Sequence, residues 1–284
     1  MPIESHLNKE DINIQHLSLE EPERTEKLPF DADKEITADD WANMKEALVI
    51  SRINTSRDDF VRIAKYMKLL FPERVSELAL DNNDWGAIKL DIDNYRPRSD
   101  NDKFFLIASA AKILFPERIK ELGLDDQDWE MIKWKMQNSY ATRQWDKLLT
   151  EAEYAKLLFP RHEFGALLKD ERTWEGIKKH IEGLKNEKSN MVLFVGYAST
   201  AKLLFPSHAG EINFDKNTWD VVKKNLNFYR EIHASSTLAV YAAAMKIMAA
   251  EDAEITDEGI FEINMRKLKI NLPEQKPVPE TKKF

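Results

Sequence analysis

The sequence predicts an all-α protein built from tandem two-helix repeats of about 44 residues, forming an α-solenoid or a curved helical stack. Three rows of residues predict this class: a Phe-Pro dipeptide, a tryptophan and an alanine each recur at nearly the same interval. With only 8 Gly and 11 Pro in 284 residues, the chain has few residues that break helices. Because the three rows share one register, the repeat is the main feature of this chain.

The Phe-Pro row marks the end of the first helix of each repeat. Proline lacks an amide N–H and disfavours α geometry in the residue before it, so it ends a helix. A lysine and two aliphatic residues precede each pair, and the Pro-Glu-Arg sequences at 72–74 and 116–118 predict a short helical turn with proline first. The row, with spacings of 44, 44 and 46, is Phe71-Pro72, Phe115-Pro116, Phe159-Pro160 and Phe205-Pro206.

The tryptophan row marks the second helix of each repeat. Asp81 is a good N-cap residue, Asp84 stands three positions later, and Leu80 can pack on Trp85 as a hydrophobic staple. This placement predicts that the tryptophans are core residues. The row, with spacings of 44, 44, 45 and 45, is Trp41, Trp85, Trp129, Trp174 and Trp219, and Phe261 takes the next place.

The alanine row predicts a close approach of neighbouring helices, because a small side chain lets two backbones come near each other. We interpret the row as structural. It is Ala64, Ala108, Ala152, Ala198 and Ala242.

The domain organisation follows from the repeat and from charge. Residues 1–36 hold ten acids against four bases, and with few aromatic residues they predict a disordered acidic tail. Residues 37–271 form the repeat domain, in which a half unit at 37–56 precedes five units that start near 57, 100, 143, 187 and 231. Residues 272–284, which contain three prolines, predict a second disordered tail.

Two lysine rows are the most informative polar feature. Equivalent positions line up along one face of a repeat array, so each row predicts a line of positive charge that can follow a phosphate backbone or an acidic peptide. The alternative is structural: the first row stands in the last helical turn, where a cation complements the helix dipole, and the second can pair with nearby acids. The first row is Lys68, Lys112, Lys156, Lys202 and Lys246, and the second is Lys45, Lys89, Lys133, Lys178 and Lys223.

Two tryptophans lie outside the repeating register. Trp134 and Trp145 are therefore candidates for exposed binding contacts, with packing as the alternative. The histidines show no metal-ligand spacing, and His162 and His208, each three residues after a Phe-Pro phenylalanine, are interpreted as surface residues.

The sequence offers no catalytic motif. The absence of cysteine excludes disulfides, thiolate metal sites and a cysteine nucleophile. The chain has no Gly-rich phosphate loop and no G-x-S-x-G. We therefore predict no enzymatic activity, no cofactor and no metal. Residues 1–30 contain no apolar leader and the longest apolar stretch contains Lys246, so we expect a cytoplasmic protein that does not enter membranes.

The string Ala-Lys-Leu/Ile-Leu-Phe-Pro-Glu-Arg, followed by Leu-Gly-Leu-Asp and Trp, resembles repeats in uncharacterised helical-repeat proteins of candidate-phylum bacteria. The resemblance covers about residues 57–268. It implies the repeat fold and no particular activity. The unit length is also similar to that of armadillo and HEAT arrays, although the internal motif differs from theirs.

The architecture favours a scaffold that binds a protein or peptide partner, since helical arrays present long faces. Nucleic-acid binding through the lysine rows is the alternative, and an enzyme with a site between repeats is a second alternative. Phe-Pro and Trp are explained by helix ending and helix capping. We therefore expect a ligand to be recognised by the positions that differ between units.

Overall fold

The computed structural model describes residues 35–53, 57–96, 101–162, 168–185, 190–250, 252–255 and 261–264. Most of this part is helical, as predicted. Its helices of 14 to 16 residues are α1 (Ala38–Ile53), α2 (Arg57–Leu70), α3 (Asn82–Tyr95), α4 (Asn101–Leu114), α5 (Asp126–Ala141), α6 (Trp145–Leu158), α7 (Glu171–Lys185), α8 (Met191–Leu204), α9 (Lys216–Glu231) and α10 (Ser235–Ala249).

The even-numbered helices form an inner ring. Each packs against the next along the chain, from α2 through α4, α6 and α8 to α10, and α10 in turn packs against α2. The odd-numbered helices lie outside, and each contacts the inner helix that follows it in sequence. Helix α1 also contacts α10, so it stands beside the last inner helix as well as the first.

The sequence predicts a solenoid or a curved stack and gives no indication that its two ends meet. In the structure they do meet, because the last inner helix packs against the first. Side chains join the two ends. The Arg230 guanidinium lies 2.6 Å from the Asp40 carboxylate and donates to the backbone carbonyl of Glu35. Helix α1 thus supplies the outer helix that the last unit lacks.

The tryptophans pack in the core, as predicted. In each of the first four repeats the ring meets the phenylalanine of the next Phe-Pro pair at 5.2 to 5.7 Å between ring centres. The capping prediction is also confirmed, because the Asp81 side chain accepts from two backbone amides while Asp84 accepts from the Asp81 amide. The alanine row is buried, which lets the inner helices approach closely.

Three of the four Phe-Pro pairs are followed by a short helical segment that covers a tryptophan. Three such 3₁₀ segments lie at Pro72–Leu78, Pro116–Leu122 and Pro206–Glu211. The residue three positions after the phenylalanine lies over the tryptophan ring: Arg118 stands 4.7 Å from the Trp85 ring and His208 stacks on Trp174 at 4.7 Å. His162 and His208 therefore have a packing role at the protein surface.

The same segments carry a glutamate that accepts from the tryptophan indole. Trp174 Nε1 donates to Glu211 at 3.1 Å, and Lys178 Nζ lies 2.7 Å from the same carboxylate. Hydrogen bonds from Lys178, His208 and Trp174 lower the pKa of Glu211 to about 2.

We expect the stability of the protein to fall in acid partly through Glu211. A carboxylate with a depressed pKa stabilises the fold above its unfolded pKa, near 4.5, and that contribution disappears as the pH falls toward about 2. Urea unfolding between pH 7 and pH 2.5 measures this. The Glu211→Gln variant should lose less stability than wild type below pH 4.5. Glu175→Gln, at an exposed glutamate of α7, is the control, and equal acid profiles for wild type and Glu211→Gln would contradict the expectation.

The last unit ends in a hairpin, where the sequence predicts a second helix with Phe261 in the tryptophan position. Strand β1 (Asp252–Ile255) pairs antiparallel with β2 (Phe261–Asn264), and Ile255 is opposite Phe261. Strand β1 packs on α8 and on the segment Pro206–Glu211. In the described residues of this segment, 252–255 and 261–264, the structure has strands in place of the predicted helix, and α1 lies beside α10. The predicted tails lie outside the described residues, except for positions 35 and 36.

Candidate functional site

The first lysine row joins the inner helices to one another. Lys112 Nζ donates to the Leu157 carbonyl at 2.5 Å, Lys202 Nζ donates to the Ala250 carbonyl at 2.6 Å, and Lys246 Nζ donates to the Leu70 carbonyl at 3.0 Å. Lys68 reaches the Ile113 carbonyl in the same way, and Lys156 holds the fifth position, half-buried. Burial lowers the pKa of Lys68 and of Lys112.

These contacts give the first lysine row a structural role, which is one of the two alternatives that the sequence predicts. The other alternative, an exposed line of positive charge, does not fit them. They also fix the direction of the ring. Each of the four lysines other than Lys156 stands in the last turn of one inner helix and meets the carbonyls at the end of the next, so all five inner helices are parallel and their carboxyl ends share one side.

The second lysine row lies on the outer helices, beside acidic side chains. Its amino groups lie between 2.7 and 3.8 Å from a carboxylate, and their side chains are about as exposed as those of their partners or less so. The pairs are Lys45–Glu77, Lys89–Asp93, Lys133–Glu130, Lys178–Glu211 and Lys223–Glu35. A line of lysines interleaved with carboxylates does not present the unbroken positive surface that a phosphate backbone requires.

The two tryptophans outside the register have different surroundings. Trp134, on the outer helix α5, is 63% exposed, and Leu90 at the equivalent position of α3 is 57% exposed. Trp145 is half-buried at the start of α6. Its ring lies 6.1 Å from Tyr140 and covers Gly176 of α7. Trp134 is therefore available to a partner, whereas Trp145 packs between helices.

We expect Gly176→Ala to lower the free energy of unfolding by about 1 kcal/mol. A Cβ at this position would lie 2.3 Å from the Trp145 Cζ2 carbon, and the cost of displacing that ring exceeds the gain in helix propensity. The matched control is Gly183→Ala on the same helix, where no heavy atom lies within 4 Å. That variant should gain about 0.5–1 kcal/mol in urea unfolding, and a stabilised Gly176→Ala would show that the ring moves freely.

The inner helices surround a cavity of about 410 Å³, to which all five contribute. Its floor, toward the carboxyl ends of the helices, is aliphatic and includes the buried residues Leu203 and Ile247. Its mouth lies toward the amino ends, where Arg62 and Leu193 are exposed. Between floor and mouth the wall carries a belt of polar side chains.

A buried ion pair is the centre of this belt. Lys65 Nζ, on α2, lies 2.9 Å from a Glu153 oxygen on α6, and the two side chains are 3% and 13% exposed. Burial is the largest single influence and lowers the pKa of Lys65, but the charge of Glu153, the contributions of Tyr66 and Tyr154 and the hydrogen bond to Glu153 together outweigh burial and raise that pKa. The Thr200 hydroxyl of α8 donates to the other Glu153 oxygen at 3.3 Å. The pair therefore links three inner helices across the cavity.

Two tyrosines flank the ion pair. Tyr66 follows Lys65 in sequence, and the Lys65 ammonium lies 5.3 Å from the centre of the Tyr66 ring. Tyr154 follows Glu153 and also lines the cavity. Burial raises the pKa of both phenols, so both stay protonated at neutral pH and can donate. Among the described residues, neither hydroxyl has a hydrogen-bond partner.

The sequence patterns do not select Lys65, Tyr66, Glu153 or Tyr154 as site residues. Their position relative to the alanine row could nevertheless have indicated them. They occupy the two positions after the alanine row, where an inner helix is otherwise apolar. The first of these positions holds Lys65, Ser109, Glu153, Ser199 and Ala243, and the second holds Tyr66, Ala110, Tyr154, Thr200 and Ala244. The cavity wall is thus formed largely by positions that differ between units.

Within the described ranges, no three histidine, aspartate or glutamate side chains are grouped so that they could hold a metal ion. None of the described helices combines the length and the hydropathy that a membrane span needs. A comparison with protein-family models, curated proteins and solved structures finds no significant match to the chain. The resemblance to helical-repeat proteins of candidate-phylum bacteria stays a prediction.

Proposed function

We propose that the protein is a binding protein that holds a small organic molecule in the central cavity of its helical ring. The cavity lined by Lys65, Glu153, Tyr66 and Tyr154 supports this proposal. Ligand sites in proteins are concave, mostly apolar and about 300–1,000 Å³ in volume, with a few placed polar groups. This cavity has that size, an aliphatic floor and one polar belt.

The cavity favours binding over the enzyme alternative. A lysine acts as a nucleophile or base when its pKa is lowered, whereas Lys65 has a raised pKa and stays charged. Glu153 is held on both oxygens, by Lys65 and by Thr200. The hypothesis of an enzyme with a site between repeats stays a prediction. Lys65 and Glu153 do not supply a reacting group for it.

Filling the cavity tests the proposal. Ala244 lines the wall on α10 and is 4% exposed, so Ala244→Met would occupy cavity volume without changing charge. The wild-type protein and this variant would be incubated with a small-molecule extract, dialysed and analysed by mass spectrometry. We expect at least one compound to be retained by wild type and lost from Ala244→Met. Equal retention by both proteins, or retention by neither, would refute the proposal.

A second candidate function is the scaffold for a protein or peptide partner, located on the outer wall. Exposed Leu90 and Trp134 on successive outer helices favour it, since tryptophan is a frequent anchor at interfaces. Lys179 and Lys224 hold the equivalent positions of α7 and α9 and give a matched control. Proximity labelling should identify a partner that is lost from Leu90→Ala/Trp134→Ala and kept by Lys179→Ala/Lys224→Ala. Loss from both variants, or from neither, would count against this surface.

Nucleic-acid binding is less favoured than small-molecule binding or a protein partner, because acids lie beside the second lysine row. A gel shift with RNA and DNA at low and high salt tests it. The cytoplasmic location remains a proposal, with which the absence of cysteine is compatible.

A further inference from the structure

We infer that the cavity selects a small apolar molecule with one anionic group, a carboxylate, bound with its apolar end on the aliphatic floor. This inference rests on the proposed function and names the ligand class for the same cavity. Three features of the wall carry it: the balance of charge, the hydrogen-bond donors that remain available, and the separation of polar from apolar lining.

The charged residues of the lining are Arg62, Lys65 and Glu153, so two cations face one carboxylate. Lys65 and Glu153 are paired with each other at 2.9 Å. Arg62 stands one turn nearer the mouth and is exposed, and it makes no hydrogen bond or ion pair with another described residue. A guanidinium presents two parallel N–H groups to a carboxylate. Once Lys65 and Glu153 are paired, the charge left in the cavity is the positive charge of Arg62, which is available at the mouth.

The available hydrogen-bonding groups on the wall also suit an anion. The Tyr66 and Tyr154 phenols stay protonated and can donate. The acceptor oxygens of Glu153 are already engaged by Lys65 and Thr200. The inner helices are parallel with their amino ends at the mouth, so their dipoles add a positive potential on that side. A ligand cation would find an occupied carboxylate, whereas a ligand anion would meet Arg62 and the phenols.

The aliphatic floor of the cavity determines the chemical nature of the uncharged end of the ligand. Leu69, Leu203 and Ile247 line the cavity toward the carboxyl ends of the inner helices, one turn beyond the polar belt. Burial of apolar surface there contributes about 25 cal/mol per Å². A carboxylate with an unbranched alkyl chain places its charge at Arg62 and its chain on this floor.

The test uses octanoate, with octanamide and octylammonium as its neutral and cationic counterparts, titrated into the full chain by calorimetry. We expect octanoate to bind at least tenfold more tightly than octanamide, and octylammonium to bind most weakly. Arg62→Gln should weaken octanoate binding about tenfold and leave octanamide unchanged. Arg161→Gln, at an exposed arginine that does not line the cavity, is the control.

The outcomes separate the two proposals. If octanamide binds as tightly as octanoate, or octylammonium binds more tightly, and Ala244→Met removes that binding, the ligand class is wrong and the cavity remains a binding site. If none of the three compounds binds wild type, or if Ala244→Met binds them unchanged, both proposals are overturned. Thermal melting checks that Ala244→Met is folded, and Ala110→Met on α4 provides a second filling variant at the same cavity.

Discussion

Replacing Glu153 with leucine is expected to destabilise the protein by about 3–5 kcal/mol at pH 7, more than any other single substitution that we propose. The leucine leaves the Lys65 ammonium without its carboxylate in a site where that lysine is 3% exposed. Removing one partner of a buried ion pair costs more than removing both, because the remaining charge stays desolvated. Urea unfolding of the variant against wild type measures the effect.

Two further variants test the cause. The double variant Lys65→Met/Glu153→Leu should recover most of the loss, because no buried charge remains. Thr200→Val, which removes only the hydroxyl that donates to Glu153, should cost about 1 kcal/mol. If Glu153→Leu unfolds within about 1 kcal/mol of wild type, the pair is not desolvated as described.

The pH dependence of Glu153→Leu gives an independent check. In wild type the pKa of Lys65 is raised, so its contribution to stability is complete below the unfolded value of 10.5 and is lost only above that pH. Without Glu153, burial lowers the pKa of Lys65, and folding then favours the neutral amine. The destabilisation by Glu153→Leu should therefore be smaller at pH 10 than at pH 7.

The second large effect is expected at the junction that closes the ring. We expect Arg230→Ala to cost about 3 kcal/mol, because it leaves the Asp40 carboxylate, whose side chain is 3% exposed, without its cation. The guanidinium contacts both Asp40 oxygens, at 2.7 and 2.6 Å. Urea unfolding measures the cost, and hydrogen exchange should show faster opening of α1 and α10 together.

Arg52 provides the matched control for Arg230. It holds the equivalent place at the end of α1 and pairs with Asp84 at 2.8 Å, between units that are adjacent in sequence. In a closed ring, Arg52→Ala and Arg230→Ala should destabilise the protein by similar amounts. In an open array Arg230 would be a surface residue of the last unit, and its replacement would change stability by less than about 0.5 kcal/mol.

The parts of the fold that the sequence predicts are those encoded within one unit. Helix caps, the Phe-Pro helix ends and the burial of tryptophan depend on residues a few positions apart, and they recur in several copies. For these local features the structure agrees with what the sequence predicts. Asp81 with Asp84 illustrates this, because the capping box is complete within four residues.

Ring closure is not encoded in any one unit, because it depends on the small rotation between neighbours summed around the whole array. The arginines show how the sequence pattern misleads. Arg52 and Arg96 each pair with an aspartate 32 positions later, Asp84 and Asp128. The same offset from Arg230 leads to residue 262 in the hairpin, whereas the actual partner is Asp40. Without closure the inner face is not enclosed, so the cavity could not be predicted either.

The position of α1 beside α10 has a consequence for how the chain acquires its structure during synthesis. Helix α1 is made among the first of the described elements and can pack at once on α2, which follows it directly. Its contacts with α10 must wait until residues 235–249 have left the ribosome. Contacts between segments so far apart in sequence slow folding. We therefore expect the nascent protein to remain an open arc until its last inner helix arrives, and to complete the cavity only then.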